Sequence, residues 1–372
     1  MSRLLREYPP DSLTVLTSTR YAKVSPQEGR LSCDEIVVPL NEAYGRFGLG
    51  RIRAALNWLR VPLVAVAVRR IIQRQRVSAV LTVLHGHFYF AAAIAARLSG
   101  IPYVVIVHDE YASGTNIIAR QLTAAVMRNA AHIYAVSPEM QATIRVQFGV
   151  QSELQRPATE RLHLKVRRGE SKELSIVFAG SITGAVEDSL RMVVSVIASG
   201  QLKSEGISGA KLHLYTVLKE QQKRAWGWYH PDIVIHPWIA QSELTEVLDR
   251  ADILFLPFSF SASERHTVQT AFPSKTADYL ASGTPILVVG PDYSSLVSYA
   301  KREGFAEIVS ELDPDLLTRA IGRLALDPDH REVLRSRSLH VFARYHDIGR
   351  QRNDFLRMLN SVVRGSDTND HA

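Results

Sequence analysis

A chain of 372 residues, 46% apolar and 22% charged, is long enough for two domains with a core each, and its make-up is that of an ordinary globular protein. The single cysteine, Cys33, excludes an internal disulfide and points to a reducing, cytoplasmic setting; no apolar leader and no run of 18 apolar residues marks secretion or a membrane span. The net charge of +7 is uneven: residues 1–165 hold 20 Lys and Arg against 11 Asp and Glu, and residues 166–372 hold 24 against 26.

Leu4 to Tyr8 reads as the last turn of a helix stopped by Pro9-Pro10, Leu13 to Thr17 as a strand, and Ile36 to Pro39 as a second short strand. No carboxylate occurs between Ala43 and His108, a window with nine arginines, and such asymmetry points to an anionic partner surface. Within it, Gly50 to Gln75 is basic and amphipathic, with Ile52, Leu56, Leu59, Leu63, Val64, Ala67 and Ile71 as its apolar side, and Pro62 is expected to kink or split the helix. The Arg51–Arg76 region suits an anionic membrane surface or a plain solvated face; Trp58 is its one aromatic and no series of stacking rings interleaves with the arginines, so nucleic acid is not expected.

Val77 to Leu84 is a strand closing on His85-Gly86-His87-Phe88, Ala91 to Leu98 a helix ended by Gly100, and Pro102 to Val107 a strand closing on His108-Asp109-Glu110. His87 and His108 are the candidate functional residues here and His85 a structural one; two histidines without further ligands do not make a metal site. Ala131 to Val136 is the next strand, and Ser137-Pro138-Glu139 then caps and opens a helix that ends before Gly149. Gln151 to Lys172 is polar and aperiodic, placing a first domain at 1–160 and a linker at 161–173.

A second domain, 174–345, opens with the strand Leu174 to Ala179; the following turn, Gly180-Ser181, is where a Rossmann-like half holds phosphate. Strands over 211–217, 233–237 and 251–257 alternate with helices near 219–227 and 242–250, the latter capped by Ser242. Trp238 is either core or a rest for a nucleotide base. A polar loop, Ser259 to Thr270, carries Glu264, Arg265 and His266; then Pro273 and Ser274 open a helix over 274–282, which Gly283 ends before the strand Pro285 to Val289. The unpaired amides of that helix start, with Lys275, form an anion site suited to a diphosphate, and Asp278 one turn on can accept from a ribose. A strand at 305–309, helices at 313–326 and 329–344, a terminal helix at 346–359 (crossover segment 346–362) and a polar tail complete the chain.

The run Pro273, Lys275, Asp278, Tyr279, Leu280, Ala281, Gly283, Pro285 resembles the donor-site helix of the GT-B type glycosyltransferases, in particular the retaining, family 4-like group; His85-Gly86-His87-Phe88, the Gly100-to-His108 stretch and Val136-Ser137 resemble that group's N-terminal domain. The resemblance covers roughly residues 77–345 and implies two Rossmann-like domains facing across a cleft, with the terminal helix crossing back to the first. It implies transfer of a sugar from a nucleotide-diphosphate sugar, with His108 at the sugar, Gly180, Ser181, Trp238, Ser274, Lys275 and Asp278 on the nucleotide, and His87 on the acceptor side; Glu264, in the loop at a spacing other than the family's, is the candidate to stand in at the sugar. The expected acceptor is a glycan or polyprenyl-linked saccharide of bacterial surface polysaccharide synthesis, and neither cofactor nor metal is expected, since the helix start and Lys275 neutralise the diphosphate.

The chain departs from the family pattern at three places. Thr270 stands where a first Glu is usual, no Arg follows Gly180, and the family's opening strand and Gly-rich loop have no counterpart before Leu13. The competing expectation is therefore a non-catalytic chain of the same fold that binds a nucleotide-sugar or scaffolds other transferases.

Overall fold

The computed structural model describes residues 2–18, 31–38, 49–108, 117–160, 173–218 and 220–367. Asp109, Glu110, most of the expected linker and the last five residues lie outside them, as do the side chains of Arg51 and Arg53. The chain forms two units, Met1–Gln155 with Gly349–Ala372, and Arg156–Ile348. Residues 156–160, assigned above to the first domain, thus fall in the second unit.

The first unit opens with a short helix, α1 (Ser2–Leu5), and a parallel pair, β1 (Thr14–Ser18) and β2 (Asp34–Val38). A long helix follows, α2 (Leu49–Gln75), and then an alternation of strands and helices: β3 (Val80–Val83), α3 (Phe88–Leu98), β4 (Tyr103–Val107), α4 (Ile117–Arg128), β5 (His132–Ala135), α5 (Pro138–Phe148) and β6 (Glu153–Leu154). The sheet is parallel in the order β3-β4-β5-β6. All of β4 is buried, as an uninterrupted β-branched and aromatic run between two covered faces requires. Val104 and Ile106 pack to one side with Leu5, Tyr134 and Phe355; Tyr103, Val105 and Val107 pack to the other with α2 and α3. Phe355 belongs to the terminal helix α14 (Ile348–Asp367), so the end of the chain supplies the first unit's second layer; that helix also runs through Gly365, which was expected to open a polar tail.

Two elements differ from expectation. Helix α2 is continuous over 27 residues with Pro62 inside it, not split. Its buried stripe is Val61, Val64, Ala65, Val68 and Ile72, spaced three and four apart, while Leu59 (73% exposed) and Leu63 (72%) face outward. The segment is apolar on more than one side, so its periodicity did not choose which side meets the sheet. Helix α4 was not expected at all; Tyr103 of β4 donates its hydroxyl to the Val126 carbonyl at 2.7 Å and fixes it to the sheet. Helix α5 forms as its capping residues dictate: Ser137 accepts from the Met140 amide at 3.0 Å, Pro138 stands first, and Gly149 ends it at φ 70°.

The second unit holds a six-stranded parallel sheet. Its elements are β7 (Leu174–Ala179), α6 (Glu187–Ser199), β8 (Ala210–Tyr215), α7 (Glu220–Trp226), β9 (Ile233–His236), α8 (Gln241–Arg250), β10 (Ile253–Pro257), α9 (Arg265–Thr270), α10 (Lys275–Ser282), β11 (Ile286–Val289), α11 (Ser295–Glu303), β12 (Ala306–Val309), α12 (Pro314–Leu326) and α13 (Pro328–Tyr345). The strand order β12-β11-β10-β7-β8-β9 is the doubly wound one, with β7 and β10 at its centre. The expected polar loop after β10 contains the helix α9. Helix α8 is capped not by Ser242 but from Ala240, whose amide is met by Glu243 at 3.1 Å.

The two ends of this unit are joined to each other. Thr159 donates its amide to the His346 carbonyl and accepts from the Ile348 amide, both at 3.0 Å. The buried His346 ring bridges the Tyr299 hydroxyl (2.9 Å) and the Pro157 carbonyl (2.6 Å). Loss of hydration pushes its pKa down to about 4, so it is neutral: Nδ1 carries the hydrogen donated to Pro157, and Nε2 accepts from Tyr299.

Candidate functional site

In a doubly wound sheet the loops on either side of the central strand pair leave in opposite directions and open a crevice at the strands' carboxyl ends. Here that pair is β7 and β10, bonded with Ile253 opposite Ile176 and Leu254 opposite Val177. Five of the residues singled out from the sequence gather at this point: Gly180, Ser181, Glu264, Ser274 and Lys275.

The turn after β7 is shaped from two sides. Buried Tyr279 of α10 accepts the Ala179 amide at 3.0 Å, and the Gly180 amide donates to the Tyr215 carbonyl at 3.0 Å, so the end of β7 is held in place. The Lys275 Nζ lies against the Gly180 Cα, and a Cβ built there would overlap it. Glycine suits this position because φ is 155°, a conformation that residues with a side chain rarely adopt, and the end of the Lys275 side chain fills the space a Cβ would take. Further along, the Glu264 carboxylate occupies the same relation to Gly184. Glu264 is brought there by a row of hydrogen bonds between the two loops. Ser259 donates to the Ala185 carbonyl at 2.7 Å, Phe260 donates to Asp188 at 2.8 Å, and the Ser189 hydroxyl donates to the Phe258 carbonyl at 2.6 Å. Sequence reasoning passed over Asp188 and Ser189; their place in the first turn of a helix was the one available signal.

The two helix starts near this turn differ in charge. Helix α6 carries Glu187 and Asp188 in its first turn, which already set negative charge against its positive end. Helix α10 starts with Lys275, also carries buried Asp278 in its first turn, and has no side-chain cap from Ser274. Lys275 keeps part of its surface exposed, but its ammonium sits among protein atoms, 3.9 Å from the centre of the Phe178 ring. Loss of hydration pushes its pKa down to about 7 from an ordinary 10.5. Among the described residues no carboxylate pairs with it. A desolvated cation beside a glycine turn at a sheet switch point is a seat for an anion.

The remaining candidates are placed as follows. Asp278 is buried at 4% exposure rather than facing water. Thr270, at the position of the family's first Glu, is buried and donates its hydroxyl to the His266 carbonyl at 3.0 Å. Trp238 follows β9 and is 55% exposed, so it is not core. In the first unit, His108 follows β4 and is half-buried. His87 is 4% exposed and packs edge-on against Trp58 of α2, ring centres 5.0 Å apart, whereas His85 is exposed. Among the described residues no three His, Cys, Asp or Glu side chains are grouped as metal ligands, and no helix is long and apolar enough to cross a membrane.

Residues 14–155 match the family model Glycosyltransferase Family 4. Among solved structures, HepE of Anabaena in complex with UDP-glucose superposes with a TM-score of 0.70 at 12% identity, over 97% of this chain and 94% of that one. Sucrose-phosphate synthase of Thermosynechococcus elongatus gives 0.66 at 13% identity (90% and 84% covered), and a glycosyltransferase of Rickettsia africae gives 0.67 at 10% (94% and 90%). No curated protein sequence matches the chain. The fold is the two-domain GT-B type, and residues 14–155 are similar to the Glycosyltransferase Family 4 model.

Proposed function

We propose that this chain transfers a hexosyl group from a UDP-sugar to a glycan or lipid-linked acceptor in bacterial surface polysaccharide synthesis, with retention at the anomeric carbon. The observation that carries the reading is the Lys275 ammonium: desolvated, set against Gly180 at the switch point, and without a carboxylate partner among the described residues. A diphosphate supplies the missing charge, and the same group stabilises the UDP that leaves. The UDP and UDP-glucose complexes of HepE support the choice of nucleotide. Glu264, held beside Gly184, and His108 are the groups proposed to orient the sugar, and exposed Trp238 the rest for the base. Lys275 and the helix start neutralise the leaving group without a metal, so turnover is expected to survive EDTA.

The lipid-linked acceptor is supported by α2. Leu59, Leu63 and Val66 are exposed on it together with Arg60, Arg69, Arg70 and Arg74, and no acidic residue lies between Ala43 and His108. Apolar side chains among arginines with no carboxylate suit an anionic bilayer surface and a peripheral place at the inner face of the cytoplasmic membrane. Co-sedimentation with vesicles that does not depend on anionic lipid would remove this part of the proposal.

The deciding assay incubates the protein with a panel of UDP-sugars and follows free UDP. Slow UDP release that Lys275→Met abolishes supports a transferase. Tight UDP binding without release, under every acceptor tried, favours the second reading, a non-catalytic nucleotide-sugar binder, to which buried Thr270 in place of a carboxylate lends weight.

A further inference from the structure

Phe178 is the next-to-last residue of β7 and has no exposed surface, so it would pass for core and nothing more. Two distances set it apart from the other buried rings of the sheet. The Lys275 Nζ stands 3.9 Å from its ring centre, and its own Cζ lies 3.7 Å from where a Cβ on Gly180 would be. The ring is thus the floor of the turn, the glycine its rim, and the ammonium rests between them. A cation over an aromatic face is attracted by the ring's negative quadrupole, and the attraction grows when water is excluded. Among the described residues the ammonium has no hydrogen-bond or carboxylate partner, and the ring face is the protein contact that meets its charge.

We propose that Phe178 is a positioning residue that holds the Lys275 ammonium over the Gly180 turn by cation–π attraction, keeping it charged and aimed where a diphosphate would arrive. The last clause rests on the function proposed above; the contact between ring and ammonium does not. A lysine without this contact would swing toward water, and a diphosphate would then have to recover its ordering as well as its contacts. Leucine at 178 fills most of the volume but has no quadrupole, tyrosine keeps the ring face, and pentafluorophenylalanine keeps the shape while reversing the face's sign.

The test follows the titration of Lys275 by NMR in nucleotide-free protein labelled at lysine, the resonance being assigned by its loss in Lys275→Met. Pentafluorophenylalanine at position 178 is expected to lower the midpoint by about one pH unit, a tenfold change in ammonium stability, and Phe178→Tyr to leave it within a few tenths. Phe178→Leu should act like the fluorinated ring; since that variant could fail to fold, the fluorinated protein carries the decision. At pH 8 the fluorinated protein should also bind UDP-glucose about tenfold more weakly than wild type. An unchanged Lys275 midpoint on fluorination overturns the proposal, as does a midpoint that falls equally with tyrosine. A midpoint that falls on fluorination in a protein that binds no nucleotide at all upholds the positioning and rejects the proposed donor instead.

Discussion

Helices α3 and α10 each follow a parallel strand and each has a chemistry-bearing side chain at its start, His87 in one and Lys275 in the other. In the sequence the two look alike: a short apolar strand, a few polar residues, then a helix. In the structure they are opposites. The His87 ring is turned inward onto Trp58 and Phe90 lies beside the same indole, so the histidine helps to lock α2 to α3. The Lys275 side chain is turned over a glycine turn and held by a ring, with no counter-charge among the described residues. One side chain is packed between rings in a helix seam, and the other is an ammonium beside a glycine turn.

Substitutions at the two starts should therefore separate binding from stability. Replacing Lys275 with Met should weaken UDP-glucose binding by roughly thirtyfold, about 2 kcal/mol, by isothermal titration calorimetry. The same change should not lower the thermal stability of the nucleotide-free protein at pH 7, because it removes a desolvated cation. The folded pKa of about 7 lies below the ordinary 10.5, so the unfolded chain binds more protons between these values. Wild-type stability should thus rise with pH across that window relative to Lys275→Met, which urea titrations at pH 7 and pH 10 would show. A large stability loss at pH 7 would make Lys275 a structural residue after all.

His87→Ala should do the reverse, costing about 2 kcal/mol in urea denaturation by removing a buried ring from the α2–α3 seam, while UDP-glucose affinity stays within twofold. Next in size is the pH dependence of binding. With Lys275 half-protonated near pH 7, a diphosphate diester should take up a proton on binding, and affinity should fall above pH 7 until the roughly thirtyfold contribution of the charge is lost, and level off below pH 7. Calorimetry in buffers of different ionisation enthalpy would count that proton; none taken up at pH 8 would break the comparison. The smallest effect is expected at Thr270→Val, under about 1 kcal/mol in stability with no change in turnover, since the hydroxyl donates to the His266 carbonyl within its own helix. A lost turnover there would restore to Thr270 the catalytic place that its family position suggests.

Much of the fold was legible in the sequence, and for a local reason. Runs such as Tyr103–Val107 and Ile253–Pro257 are apolar at every position, which only a doubly covered parallel strand explains, and Ser137, Pro138 and Gly149 bound α5 by backbone chemistry that needs no tertiary partner. Helix α4 was missed, although its 12 residues carry a packing face. That the loops carrying Gly180, Glu264 and Ser274-Lys275 leave the same end of the sheet was also legible, because a doubly wound parallel sheet sends each strand-to-helix loop that way.

What the sequence by itself determined is the alternation of strand and helix and the residue types at the strand ends, since hydrophobic period and turn chemistry act within a few residues. Which side of each element faces inward was left to the tertiary structure. Packing turned Leu59 and Leu63 out and Val61 and Val64 in, put His87 in the core with His85 outside, exposed Trp238, and brought the Phe178 ring under the Lys275 ammonium. These outcomes depend on contacts between segments far apart in the chain, where shape and desolvation compare whole surfaces, and no local pattern encodes that comparison.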